Sequence, residues 1–83
     1  MKLNVKYFAS IRELVGVSTQ AIDTQAVTLG ALRDELIALG GAHAEGLARG
    51  RAVRMALNQI MSDESAALGE GAEVAFFPPV TGG

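Results

Sequence analysis

The strongest constraint on the fold is one amphipathic segment in the middle of the chain, "TLGALRDELIALGG". Its leucines recur at intervals of three and four residues, which places them in a single apolar stripe along a helix. These leucines are Leu29, Leu32, Leu36 and Leu39. Thr28 is a suitable N-cap and the pair Gly40–Gly41 a suitable terminator. A helix with one apolar stripe must cover another element, so the segment predicts a helix lying on a second layer.

That second layer is predicted to be a sheet, because segments on both sides of the helix alternate apolar and polar residues. The clearest are "KLNVKYF" near the start and "EVAFF" near the end, with weaker candidates in "VSTQAID", "AVRMALN" and "QIM". Two short helices are also predicted. Ser10 and Glu13 fit a capping box at the first, which Gly16 would end, and the second is interrupted around Gly46. We therefore predict an α+β domain in which a mixed sheet packs on one long helix plus short helices.

The composition fits one domain and excludes several kinds of site. The 83 residues contain no cysteine and a single histidine, His43, so disulfides, thiolate metal sites and a zinc centre are not expected. A net charge of −2 gives no reason to expect nucleic acid. No apolar run is long enough to span a membrane and no secretory signal is visible. The expectation is a soluble, cytoplasmic protein without a bound metal.

No motif in the sequence supports an active site of its own. "GEGAEV" precedes a strand instead of opening a helix, so it predicts a turn and not a dinucleotide site. The serines lack a histidine–carboxylate partner set, and the adjacent Asp63 and Glu64 would diverge. The arginines of "RGRAVR" are interpreted as solvated charge, with contact to an acidic partner as the alternative.

Two aromatic residues stand out because they lie on the polar face of their predicted strands. If the first and last strands are neighbours, Phe8 and Phe77 lie side by side on the face that the long helix leaves uncovered. Such a pair favours a partner-binding patch. The alternative is that a loop of the same chain covers each ring.

The chain closes on "FFPPVTGG", which predicts a core of residues 1–77 followed by an extended tail, 78–83. Pro78 and Pro79 cannot donate to a strand ladder and direct the chain away from the sheet. From Val80 to Gly83 the chain can reach at most about 13–14 Å. Gly82 and Gly83 can enter a channel too narrow for other residues, which predicts delivery of the terminal carboxylate into another protein. The alternative is an incidental Gly-Gly end.

The segments "EVAFFPPVTGG" and "VKYFASIRELVG" closely resemble the small, sulfur-carrying subunits of molybdopterin synthase. The resemblance spans the chain, although residues 40–68 carry no distinctive family feature. It implies a ubiquitin-like β-grasp fold. Sulfur carriers of thiamine biosynthesis and ubiquitin also end in Gly-Gly, so "FFPPVTGG" is the part that indicates the molybdopterin branch.

The resemblance also implies a chemistry. An adenylating enzyme uses ATP to activate Gly83, a sulfur donor converts the acyl-adenylate to a thiocarboxylate, and the large subunit transfers that sulfur to cyclic pyranopterin monophosphate. Phe8 and Phe77 would contact the large subunit, and Pro78, Pro79, Val80 and Thr81 would line the path of the tail. Gly82 would give access to the channel. The assembly would contain two small and two large subunits, and the small subunit would bind no cofactor itself.

Three other functions remain open on the sequence. The first is a carrier of the thiamine pathway, which would bind a thiazole synthase. The second is a ubiquitin-like modifier that is joined to lysines of target proteins. The third is a plain interaction module whose tail has no role in chemistry.

Overall fold

The computed structural model describes residues 1–79, which form a five-stranded sheet and three helices. The elements are, in chain order, β1 (Lys2–Tyr7), α1 (Ala9–Val15), β2 (Thr19–Asp23), α2 (Leu29–Ala38), α3 (Gly41–Leu47), β3 (Arg54–Leu57), β4 (Ile60–Ser62) and β5 (Glu73–Phe77). The strand order is β2-β1-β5-β3-β4, with β1 and β5 parallel and the other neighbours antiparallel. The predicted mixed sheet, with its first and last strands adjacent, is confirmed.

The core lies between one face of the sheet and the helices. Inward residues alternate with exposed or half-buried ones along β1 and β5, as the period of a strand requires, whereas in β3 the outward Ala56 is also buried. The buried strand residues include Leu3, Val5, Tyr7, Met55, Val74 and Phe76. The buried helix residues that pack in the same cluster are Ile11, Val15, Leu29, Leu32, Leu36 and Leu47. None of the three helices described here covers the opposite face of the sheet, which is called the open face below.

Helix α2 follows its sequence pattern at the start and departs from it at the end. The Oγ1 atom of Thr28 accepts a hydrogen bond from the backbone N–H of Ala31 at 3.2 Å, which confirms the N-cap. Gly40 has a φ of 77° just past the helix, which confirms the terminator. The prediction that Leu39 belongs to the apolar stripe is wrong. The helix ends at Ala38, so Leu39 is the C-cap and is 63% exposed.

The two short helices correct two further details. The capping box is wrong: α1 begins at Ala9 with Phe8 at the N-cap, so Ser10 already lies inside the first turn. Gly16 ends α1 in the left-handed region, as expected, with a φ of 94°. Gly46 does not interrupt α3, which continues to Leu47. A Cβ at Gly46 would lie 2.9 Å from a methyl of Val15, so this glycine allows α1 and α3 to approach closely.

Within residues 1–79, no helix has the length and the apolar character needed to cross a membrane.

Candidate functional site

The two aromatic residues singled out in the sequence, Phe8 and Phe77, lie at the same end of two neighbouring strands. Because β1 and β5 are parallel neighbours, with Tyr7 opposite Phe76, their C-terminal ends lie next to each other. The backbone N–H of Phe8 donates to the carbonyl of Phe76 at 3.1 Å, and Phe8 keeps an extended backbone. Phe8 therefore directly follows β1 at the end of the sheet where Phe77 closes β5. The Phe8 side chain is 44% exposed, and Phe77 is half-buried.

The strand register extends this aromatic pair into a larger apolar surface. On the open face Ala75 of β5 lies opposite Ala56 of β3, and Ala56 lies opposite Met61 of β4. Met61 is 55% exposed. The two alanines lie in one row with Met61, and Phe77 is the next outward residue after Ala75 along β5. We call this surface the docking face; it consists of Phe8, Ala56, Met61, Ala75 and Phe77.

Met61 was missed in the sequence because "QIM" does not reveal which of its residues faces outward. The turn that precedes it decides this. Asn58 and Gln59 have φ values of 50° and 69°, which joins β3 to β4 by a two-residue turn and places Leu57 opposite Ile60. Asn58 also binds β5, since its Oδ1 accepts from the N–H of Glu73 at 2.9 Å. The sequence feature that could have predicted this register is the Asn58–Gln59 pair, because a two-residue turn that begins with asparagine is typical of a β-hairpin.

The end of the docking face is where the chain leaves the sheet. The β3–β5 ladder finishes with Arg54 opposite Phe77, and the half-buried Pro78 and Pro79 follow. Neither proline has an N–H with which to extend the ladder. Val80, Thr81, Gly82 and Gly83 lie outside the described residues. Their predicted roles in the channel and in the chemistry, and the predicted division into core and tail, therefore stay predictions.

Beneath the docking face, Tyr7 connects three elements. Its ring stacks on Phe76 with centroids 6.1 Å apart, and its hydroxyl donates to Oε1 of Gln20 at 3.0 Å. The same oxygen lies 2.9 Å from Nε2 of His43, so the single histidine has a hydrogen-bond partner within the fold. Burial raises the pKa of Tyr7 to about 12. Within residues 1–79, no group of three possible ligands is placed to hold a metal ion.

The prediction that the "RGRAVR" arginines are only solvated is wrong for Arg49. Its Nε donates to Asp34 at 2.9 Å, and its Nη1 pairs with Glu64. The hydrogen bonds that Arg49 donates to Glu64 and Asp34 raise the pKa of Arg49. The segment that follows α3 is thereby joined to α2 through Asp34 and to the loop after β4 through Glu64.

Arg33 supports the same connection from inside the fold. It is 4% exposed and donates to the carbonyls of Leu47 and Ala48, at 2.8 Å each. Burial lowers the pKa of Arg33, as does the nearby charge of Arg49, whereas Glu64 and Asp34 oppose that change. These groups are engaged in holding the fold.

A family model described as the ThiS family matches residues 5–83. The chain belongs to the ThiS family. It is 41% identical over 81 residues to a protein of Haemophilus influenzae and 40% identical over 81 residues to one of Escherichia coli. Each comparison covers 98% of this chain and 99% of the relative, and both relatives are named molybdopterin synthase sulfur carrier subunit. A Mycobacterium tuberculosis protein of the same name is 36% identical over 85 residues and spans 100% of this chain and 99% of its own.

Solved structures of similar shape support the predicted ubiquitin-like β-grasp fold, which is confirmed. SAMP1 from Haloferax volcanii superposes with a TM-score of 0.78 at 27% identity, covering 100% of both chains. A putative molybdopterin converting factor subunit 1 from Pyrococcus furiosus gives 0.79 at 27% identity, covering 96% of this chain and 99% of its own. A Helicobacter pylori chain, solved in a complex of subunits 1 and 2 of molybdopterin-converting factor, gives 0.69 at 28% identity over 100% of both chains.

Proposed function

We propose that this chain is the sulfur carrier subunit of a molybdopterin synthase. The observation that carries the proposal is the junction of β1 and β5, which brings Phe8 and Phe77 together where Pro78 leaves the sheet. An apolar surface next to Pro78 and Pro79, which precede "VTGG" in the sequence, supports a partner that binds there and receives the terminus. The full-length relatives named as sulfur carrier subunits support the assignment.

The proposed chemistry begins with activation of the terminal carboxylate. A carboxylate with a pKa of about 3.5 is ionised and unreactive at neutral pH. An adenylating enzyme therefore uses ATP to form an acyl-adenylate on Gly83. Sulfur from a donor displaces AMP and leaves a thiocarboxylate. With no cysteine in the sequence, this chain has no thiol to carry the sulfur as a persulfide, and the terminus takes that role.

The proposed partner in the second step is the large subunit of the synthase. The Helicobacter pylori neighbour, solved in a complex of two subunits, supports a partner of this kind. Phe8, Met61 and Phe77 contact the large subunit, and Pro78 to Thr81 line the path along which Gly82 and Gly83 enter its active site. Two sulfur transfers convert cyclic pyranopterin monophosphate to molybdopterin. The working assembly contains two small and two large subunits and is cytoplasmic.

Intact mass spectrometry tests the activation step. The chain is incubated with the adenylating enzyme, ATP and a sulfur donor, and its mass is expected to rise by one oxygen-to-sulfur exchange at the terminus. A chain lacking Gly82 and Gly83 is the matched control and is expected to keep its mass. An unchanged mass of the intact chain under these conditions contradicts the proposal.

A protein modifier is the second candidate, because small archaeal modifier protein 1 of Haloferax volcanii is a structural neighbour in two solved structures. Stable conjugates of the chain on lysines of cellular proteins would favour that function over a dedicated carrier. A carrier of the thiamine pathway would be distinguished from the proposed function by its partner, because it would bind a thiazole synthase in preference to the large subunit.

A further inference from the structure

Arg54 stands at the rim of the docking face, directly opposite Phe77. The two residues are register partners on antiparallel β3 and β5, so their side chains project from the same, open face of the sheet. Directly opposed Cβ atoms lie about 4.5–5.5 Å apart. Arg54 is exposed. Any surface that covers Phe77 therefore also meets the guanidinium of Arg54.

Arg54 forms no ion pair and no side-chain hydrogen bond within the part of the chain that the structure describes, although Asp63 and Glu64 line the same surface pocket. The nearby Lys6 pairs with Glu73 at 3.3 Å, and Arg49 pairs with Asp34 and Glu64. Among the ion pairs and side-chain hydrogen bonds of residues 1–79, none includes Arg54. Covering Phe77 with a purely apolar surface would remove water from this cation without replacing it, which is unfavourable. A favourable complex requires an acceptor opposite the guanidinium.

We propose that Arg54 binds an acidic side chain on the large subunit, at the rim of the surface that receives Phe77. This inference rests on the proposed function and names a specificity-determining contact within it. A guanidinium binds a carboxylate through two parallel hydrogen bonds, which fixes orientation as well as adding attraction. Such a pair sets the register in which the docking face meets the large subunit and thus the direction in which Pro78 leads the tail.

Binding kinetics with a matched charge reversal test the proposal. Arg54→Glu is compared with Lys2→Glu, which makes the same charge change on the open face at the far end of β1, opposite Asp23. Association and dissociation rates with the purified large subunit are measured at low and high salt. Arg54→Glu is expected to slow association about 10-fold and to flatten its salt dependence, and Lys2→Glu to change the rate by less than about 2-fold.

The outcomes separate this inference from the proposed function. If the unaltered chain does not bind the large subunit, the proposed function and the inference both fail. If it binds, and Arg54→Glu behaves like Lys2→Glu, only the inference is overturned. A defect of Arg54→Glu that is confined to thiocarboxylate formation by the adenylating enzyme also overturns it, because the acidic group would then belong to that enzyme.

The position of the acidic partner can be mapped directly. Because the sequence has no cysteine, Arg54→Cys provides a unique attachment point for a photoreactive crosslinker. Mass spectrometry of the crosslinked complex is expected to identify a large-subunit peptide that contains Asp or Glu. A crosslinked peptide without either residue contradicts the proposal.

Discussion

Gly30 makes a close contact with Glu64, a residue that is distant in the sequence. Its N–H donates to the carbonyl of Glu64 at 2.9 Å, and a Cβ at this position would lie 2.9 Å from Cβ and 3.2 Å from the carbonyl oxygen of Glu64. By helix propensity alone this glycine is a defect of up to about 1 kcal/mol. The structure shows instead that it lets the loop after β4 pack on the first turn of α2.

We expect Gly30→Ala to destabilise the protein by about 1–3 kcal/mol, because the clash involves backbone and Cβ atoms that cannot move independently. Urea denaturation measures the change in the free energy of unfolding. Gly50→Ala is the matched control, since a Cβ there meets no atom within 4 Å. It is expected to be neutral or to stabilise by up to about 1 kcal/mol. A Gly30→Ala variant as stable as the Gly50→Ala variant would contradict this account.

At the scale of elements, Tyr7 joins β1 to β2 through Gln20 and, through the same amide oxygen, to His43 on α3. Its pKa is about 12 in the fold, against about 10 in an unfolded chain. The unfolded state therefore loses this proton first as the pH rises. The stability linked to Tyr7 is complete below about pH 10 and is lost between about pH 10 and about pH 12.

This linkage predicts that the free energy of unfolding falls by on the order of 2 kcal/mol over that range. The fall is in addition to any seen in Tyr7→Phe, which lacks the titrating hydroxyl. Urea denaturation at a series of pH values measures both proteins. The chain has one tyrosine and no tryptophan, so phenolate absorbance reports Tyr7 alone. Parallel stability profiles for the two proteins, with phenolate forming near pH 10 in the folded state, would show that the hydroxyl is not protected.

The sequence predicted elements well where the signal is local. Alternation identified β1 and β5, and the Thr28 cap and Gly40 terminator bounded α2. Prediction from the sequence failed where the contact that decides the structure comes from a distant part of the chain. The Ser10–Glu13 capping box has the right spacing, yet the bond from Phe8 to Phe76 holds Phe8 extended so that the helix begins at Ala9.

The candidate site was predictable in part for the same reason. Phe8 and Phe77 interrupt a polar face, and that is visible in the sequence. The place of Met61 on that face depends on the register set by the Asn58–Gln59 turn, and the buried position of Arg33 depends on carbonyls at the end of α3. Neither contact leaves a periodic pattern in the chain.

At the scale of the whole molecule, the helices cover one side of the sheet, and the proposed partner surface lies on the other. Met61→Asp is expected to weaken binding to the large subunit about 10-fold or more, because a carboxylate would be buried in an apolar contact. Ile60→Asp is the control: Ile60 is 69% exposed in the same strand but points to the opposite side of the sheet. Equilibrium binding measures both, and equal losses would show that the docking face does not include Met61.

The central claim is that the terminus carries sulfur to the large subunit, and one measurement tests it most directly. The thiocarboxylated chain is mixed with the large subunit and cyclic pyranopterin monophosphate, and its intact mass is followed with time. We predict that the mass returns to that of the carboxylate only when both are present, while molybdopterin forms. If the sulfur stays on the chain, or leaves it at the same rate without the pterin substrate, the claim is contradicted.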